Sequence, residues 1–130
     1  MRIPSLLLKQ LYTFGSLKNN EEGVQFSIKN RLSDATFTGL KSVLVDGKEI
    51  PPKNITLHFD DGKFLTPDQV SSKNPIEFPL RKEISISAKG NSLEKGAHKI
   101  EVVFDTKPYG KLHLKVTDSI SDIPVHRVRV

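Results

Sequence analysis

Between Gly23 and Leu44 the chain reads GVQFSIKNRLSDATFTGLKSVL. Val24, Phe26 and Ile28 alternate with Gln25, Ser27 and Lys29, the period-two pattern of a strand with one face in a core and the other in water. A polar corner follows, Lys29-Asn30-Arg31 through Ser33-Asp34, and strand patterning resumes from Phe37 to Leu44. SVLVDGKEI then predicts a hairpin. Asp46-Gly47 supplies the positive φ angles of a two-residue type I′ turn, pairing Val45 with Lys48 and Val43 with Ile50. Pro51-Pro52 ends the second arm, because proline has no N–H for the ladder.

Ile55, Leu57 and Phe59 alternate with Thr56 and His58, and a tight turn at Asp61-Gly62 sets Phe59 opposite Phe64. Thr66-Pro67-Asp68-Gln69 has the form of a capping box with proline at the first helical position, enough for one helical turn. A short extended piece is expected at Ile76 to Phe78, and a strand from Glu83 to Ala88. The last hairpin is AHKIEVVFDTKPYGKLHLKV. Ile100, Val102 and Phe104 share a face, as do Leu112, Leu114 and Val116, so paired positions must keep the same parity. Pairing Phe104 with Leu112 achieves this and sets Glu101 opposite Lys115 and Asp105 opposite Lys111. A shift of two residues brings Lys99 against Lys115, a like-charge contact that costs stability. The favoured register makes Lys107-Pro108-Tyr109 the tip and places His98 opposite Asp118, which would satisfy it. At the other end of the chain, residues 3–17 are rich in leucine and aromatics. Leu7, Leu8 and Leu11 fit one face of a short helix, and Leu11 to Leu17 fits extended chain. This segment is expected both to cover the sandwich edge and to leave an apolar surface for another subunit.

Eight or nine strands with almost no helix predict an all-β fold. It is read as an antiparallel β-sandwich, immunoglobulin-like or jelly-roll, with at most one short helical turn. At 130 residues one domain is expected, over residues 1–120, with a tail at 121–130 whose order depends on finding a surface to lie against. Composition narrows the function. The absence of cysteine removes thiol catalysis and cysteine-ligated zinc and fits a reducing compartment. The net charge is +5, but the cations are spread from Arg2 to Arg129 with no interleaved aromatics, which argues against nucleic acid. No apolar run approaches the roughly 20 residues of a membrane span. Pro4 and Lys9-Gln10 break up the leucines near the start, so no signal peptide is read. A cytoplasmic protein is expected.

Candidate chemistry is sparse. His58, His98, His113 and His126 have no spacing that makes joint metal ligands. Asp60-Asp61-Gly62 lacks the alternating ligands of a calcium loop, and no nucleophile elbow is present. No catalytic and no metal-binding residue is assigned. The polar corner beside Tyr12 is the most chemically interesting part. Its simplest role is a turn in which Asp34 satisfies backbone donors, and its alternative role is a loop that bonds a partner or a ligand's hydroxyls.

PSLLLKQLYTFGSL, GVQFSIKNRLSDATFTGL, VDGKEIP, NPIEFPLR and GAHKIEVVF…YGKL occur in this order from about Pro4 to Ile120. Together they resemble the β subunit of bacterial C-glycoside deglycosidases. The resemblance implies a lyase subunit: a small sandwich bound beside a TIM-barrel α subunit that holds a divalent metal, typically manganese, in a hetero-oligomer. The complex would split the carbon–carbon bond between sugar and aromatic, flavonoid-type aglycone in 3-oxo-C-glycosides. It would do so by metal-assisted proton abstraction and elimination. This chain would need no cofactor and would supply a wall of the pocket. Tyr12, Asn30, Arg31, Asp34 and Tyr109, polar or aromatic groups at strand ends, are the candidates for the interface or pocket rim. The rival expectations are a stand-alone carbohydrate-binding module, poorly equipped with no Trp and two Tyr, and a purely structural sandwich.

Overall fold

The computed structural model describes residues 3–121. The chain opens with a single helical turn, α1 (Ser5–Leu8), continued by a 3₁₀ turn at Lys9–Leu11. Ten strands follow: β1 (Lys18–Asn19), β2 (Gly23–Lys29), β3 (Ala35–Val45), β4 (Lys48–Glu49), β5 (Ile55–Phe59), β6 (Phe64–Leu65), β7 (Ile76–Phe78), β8 (Glu83–Lys89), β9 (Gly96–Lys107) and β10 (Gly110–Ile120). They form two antiparallel sheets, β1-β2-β8-β5-β6 and β10-β9-β3-β4, with β7 also paired to β3. The expected all-β sandwich is what the residues build. The tail expected at 121–130 lies outside the described residues, apart from Ser121.

Alternation decides which side chains meet between the sheets. Phe26, Ile28, Leu57, Ile84 and Ile86 come from the first sheet, and Phe37, Val43, Ile100, Val102 and Phe104 from the second; all are 0–1 % exposed. Phe37 stacks on Phe104 with ring centroids 5.2 Å apart. Each such side chain contributes about 1.5–3 kcal/mol through loss of apolar surface to water.

The last hairpin adopts the charge-matched register: Leu112 faces Phe104, Lys115 faces Glu101, Lys111 faces Asp105 and Asp118 faces His98. Asp46 (φ 53°) and Gly47 (φ 83°) make the expected two-residue turn, with Val45 opposite Lys48. The capping box forms at Thr66, and one 3₁₀ turn follows at Pro67–Gln69. One register differs. Phe64 faces His58, not Phe59. Phe59 instead pairs with Lys63, and its carbonyl accepts the Gly62 N–H, with Gly62 at φ 90°. This is a three-residue turn closed by a left-handed glycine, which spends one more residue than the two-residue turn expected from Asp61-Gly62. At the start of β2 only glycine fits, since a Cβ on Gly23 would stand 2.0 Å from the Ala88 carbonyl oxygen.

Two crossovers between the sheets meet at one end. Residues 30–34 carry the chain from β2 to β3, and Pro79–Lys82 carry it back from β7 to β8. The candidate site is built on this junction.

A candidate docking end at the crossover junction

Asn30 ties the junction together. Its Nδ2 donates to the carbonyls of Ser33 and Phe78, both at 2.7 Å, and its Oδ1 accepts the Leu32 N–H at 3.0 Å. Its backbone N–H donates to Lys82 O (2.9 Å) and its carbonyl accepts the Arg81 N–H (2.6 Å). At 2 % exposure it is a buried amide with its partners satisfied, as burial requires. Asp34 Oδ1 accepts the Leu80 N–H at 2.8 Å, the backbone-satisfying role read from its place in the corner. Arg81 sits at φ 78° in the turn that closes from Lys82 N–H to Pro79 O. That backbone favours glycine, and a strained residue of this kind costs about 1–3 kcal/mol. Leu80 is left 45 % exposed beside it. On the far side of the corner, the Ser33 and Tyr109 hydroxyls bond each other, so Tyr109 closes the end from the tip of the last hairpin.

The N-terminal segment is strapped across the sandwich edge. Thr13 N–H donates to Ser27 O and Tyr12 bridges Ile28, which extends the first sheet by one broken strand. Between Tyr12 and Leu17 the strap bulges away from β2, and the Asp118 carboxylate fills the gap. It accepts Tyr12 Oη–H (2.8 Å), Gly15 N–H (3.0 Å), Leu17 N–H (3.2 Å) and Ser119 N–H (2.8 Å). Tyr12 is 1 % exposed, so its side chain packs into the core beneath the concavity that it helps to line. Burial first, and then the bond to Asp118, push its phenol well above the usual tyrosine range. Arg31 locks the strap from outside, donating from Nη1 to Gln10 O (2.8 Å) and Tyr12 O (3.1 Å) and from Nη2 to the Thr13 hydroxyl (3.0 Å).

Of the five residues singled out in the sequence, Arg31 and Asp34 are exposed at the corner and Tyr109 is half-buried there. Asn30 and Tyr12 are buried and hold the corner and the strap from within. Sequence reasoning missed Leu80 and the role of Asp118 as the acceptor for the strap, whereas the apolar surface expected from residues 3–17 is present in Leu6, Leu7 and Phe14, which are 76, 42 and 57 % exposed. The Phe14 ring lies edge-on to Tyr12 at 5.1 Å. Lys9, Thr13, Phe14 and Arg31 line a concavity of about 440 Å³. A larger open groove, about 720 Å³, crosses the outer face of the first sheet between Gln25 and Phe64, and its lining is a mixture of serine, amide and single charged groups.

No group of three His, Asp or Glu side chains able to hold a metal ion occurs among the described residues. His58 is exposed, and His113 Nε2 bonds Glu101 at 3.0 Å; His126 lies outside the described residues. His98 stands opposite Asp118 in register, but it is not satisfied by it. Its Nδ1 meets Asp46 Oδ2 at 2.6 Å and its Nε2 meets Glu94 O at 2.7 Å, because the strap's donors already occupy Asp118.

With an acceptor at each ring nitrogen, the imidazolium form is favoured. The Asp46 bond, and then the Glu94 carbonyl, hold His98 above its usual pKa, and His98 in turn holds Asp46 below its own. The His98 contribution is therefore complete below about 6.5, the ordinary histidine value, and is lost as pH rises through the raised value. The Asp46 contribution is present above about 3.9, the ordinary aspartate value, and is lost as pH falls through the depressed one. Asp46 is 46 % exposed, so the effect is small, under about 1 kcal/mol. Thermal melts should show His98→Gln losing more against wild type at pH 5.5 than at pH 8.5. An equal loss at both would mean that the pair carries no charge.

Comparison with known proteins corrects the affiliation. The family model described as Hydroxymethylglutaryl-CoA reductase, N-terminal domain, matches residues 7–121. No curated protein matches the chain significantly. The reading as a C-glycoside deglycosidase β subunit is thereby overturned, and with it the carbon–carbon lyase activity on flavonoid-type C-glycosides. The alternatives of a stand-alone carbohydrate-binding or structural module draw no support from the match. The manganese, TIM-barrel and 3-oxo-C-glycoside expectations rested on that resemblance alone and lose their basis with it. The match takes in the strap, both sheets and the crossover junction, and the chain belongs to the hydroxymethylglutaryl-CoA reductase N-terminal domain family.

Proposed function

We propose that this chain is an accessory domain of a hydroxymethylglutaryl-CoA reductase-type oxidoreductase, which docks on the catalytic part and contributes no reacting group of its own. The observation that carries this reading is the strap: Leu6, Leu7 and Phe14 face outward from a segment fixed by a buried carboxylate and an arginine. Apolar side chains held rigidly at a surface are suited to protein contact, because little conformational freedom remains to be lost on binding. Arg31 and Tyr109 would stand at the contact, with Tyr12, Asn30 and Asp34 fixing its shape. Family membership supports the setting, since the family is named as a domain of the reductase and not as its catalytic region. The cysteine-free composition suits a reducing compartment such as the cytoplasm.

The test is co-expression with the reductase catalytic domain of the same organism, followed by size-exclusion chromatography and hydroxymethylglutaryl-CoA reductase assays. Co-elution, with a catalytic part that melts at a higher temperature in the complex, is the expected result. Separate elution, or turnover of hydroxymethylglutaryl-CoA by this chain alone, would overturn the reading.

A further inference from the structure

The guanidinium of Arg31 carries five N–H donors. Nη1 donates to Gln10 O and Tyr12 O, and Nη2 donates to the Thr13 hydroxyl. At least two of the five N–H donors therefore remain, among them the Nε–H on one edge of the planar group. All three present acceptors are neutral, and among the described residues no carboxylate forms an ion pair with Arg31, Lys9 or Arg81. A cation is thus held in one orientation with the Nε–H edge not fully used, beside the exposed ring of Phe14 in the concavity that Lys9 also lines.

We propose that this edge of Arg31 is the anchor for an acidic side chain of the protein partner that docks on the strap, with an apolar neighbour of that residue packing on Phe14. The inference deepens the accessory-domain reading and rests on it. Two parallel N–H···O bonds to a carboxylate form one of the stronger polar contacts, and a pre-ordered arginine loses less freedom in making them. The net charge of +5 adds attraction to an acidic surface at a distance. A protein partner fits better than a free carboxylate. A small acid would have no use for Leu6, Leu7 and Phe14, whereas a buried aromatic beside an arginine is the usual make-up of the energetic centre of a protein interface.

The experiment is calorimetric titration of the full chain with the reductase catalytic domain of the same organism, at low and high salt. Wild type is compared with Arg31→Glu, Arg31→Lys and Phe14→Ser. Arg31→Glu and Phe14→Ser should each weaken binding about tenfold or more. Arg31→Lys should fall between, because it keeps the charge and loses the fork. The salt dependence should shrink in Arg31→Glu. Arg31 also ties down the strap, so thermal melts accompany each variant, and Phe14→Ser tests the surface without touching those bonds. Association that survives both Arg31→Glu and Phe14→Ser overturns this proposal alone. Failure of the wild-type chain to associate overturns the accessory reading as well. Saturable binding of 3-hydroxy-3-methylglutarate at Arg31, unaffected by Phe14→Ser, would assign the edge to a small acid and overturn the protein partner.

Discussion

Asp118→Ala is expected to destabilise the domain by about 3–4 kcal/mol, the cost range for breaking a buried, multiply bonded charged group. The carboxylate is 9 % exposed and serves the Tyr12 hydroxyl and the Gly15, Leu17 and Ser119 amides. Each buried donor left without a partner costs about 1–3 kcal/mol, and the costs do not simply add, because water can reach part of the vacated space. Tyr12→Phe removes one donor and leaves the carboxylate bonded to the amides, so its cost should be nearer 1 kcal/mol, about the usual net worth of one hydrogen bond. Urea unfolding of both single variants and of the double variant gives the coupling directly. Amide exchange adds a second readout, since Gly15 and Leu17 should lose protection before the β9 and β3 amides do. An Asp118→Ala change below about 1 kcal/mol, within the range of an ordinary surface substitution, would show that the strap is held without Asp118, by Leu8, Leu11 and Leu17 packing and by the Arg31 and Ser27 bonds. Tyr12 also gives a signature in base. Its phenol is raised above the ordinary value, so stability present below about pH 10 is lost as pH rises further. Tyr12→Phe should remove that part of the alkaline loss.

The features legible in the sequence are those fixed by neighbours in sequence. The β9–β10 register followed from parity and two charge pairs, Glu101 with Lys115 and Asp105 with Lys111, and both arms lie on either side of one short turn. The Asp46-Gly47 turn and the Thr66 capping box were legible for the same reason. The turn after Phe59 was not, because a glycine can close a two-residue or a three-residue loop and nothing in the local sequence separates them. The bulges in β3 at Thr38 and Lys41 are also hidden, since the extra residues are seen only against β9. Asp118 stands 101–106 positions along the chain from most of its donors. Its position in a strand gave no hint that a bulged strap needed an acceptor there.

The candidate site shows the same division. The corner from Asn30 to Asp34 stood out as polar residues between two strands, and it is indeed where the chain changes sheets. That Pro79–Lys82 crosses at the same place, and so exposes Leu80 and Arg81 beside it, was not visible from either segment alone. The resemblance to deglycosidase β subunits failed for a related physical reason. Runs such as GVQFSIKN and GAHKIEVVF are shaped mainly by the alternation any two-sheet core demands, so they carry fold information and little that is particular to one family.

Asn30→Asp, which exchanges an amide nitrogen for an oxygen, should cost about 3–4 kcal/mol, within the range for a buried group left without its partners. Nδ2 now donates to two carbonyls, Ser33 O and Phe78 O. A carboxylate in its place would point an oxygen at both. The site is 2 % exposed, no cation among the described residues bonds the side chain there, and the two carbonyls would lose their donor. Asn30→Ala removes the same donor without adding a charge and leaves a small space, so its cost should be lower, about 2–3 kcal/mol. The ordering separates the two causes: a charge effect makes Asn30→Asp worse than Asn30→Ala, and a pure packing effect reverses them. Acid adds a further check. Burial against carbonyl oxygens raises the pKa of the introduced carboxyl, so the deficit of the Asn30→Asp variant should shrink as pH falls and a proton returns one donor to the site. If Asn30→Asp matches wild type in urea unfolding near neutral pH, the two crossovers are not tied through this amide, and the docking end must owe its shape to Arg81 and the contact between Ser33 and Tyr109 instead.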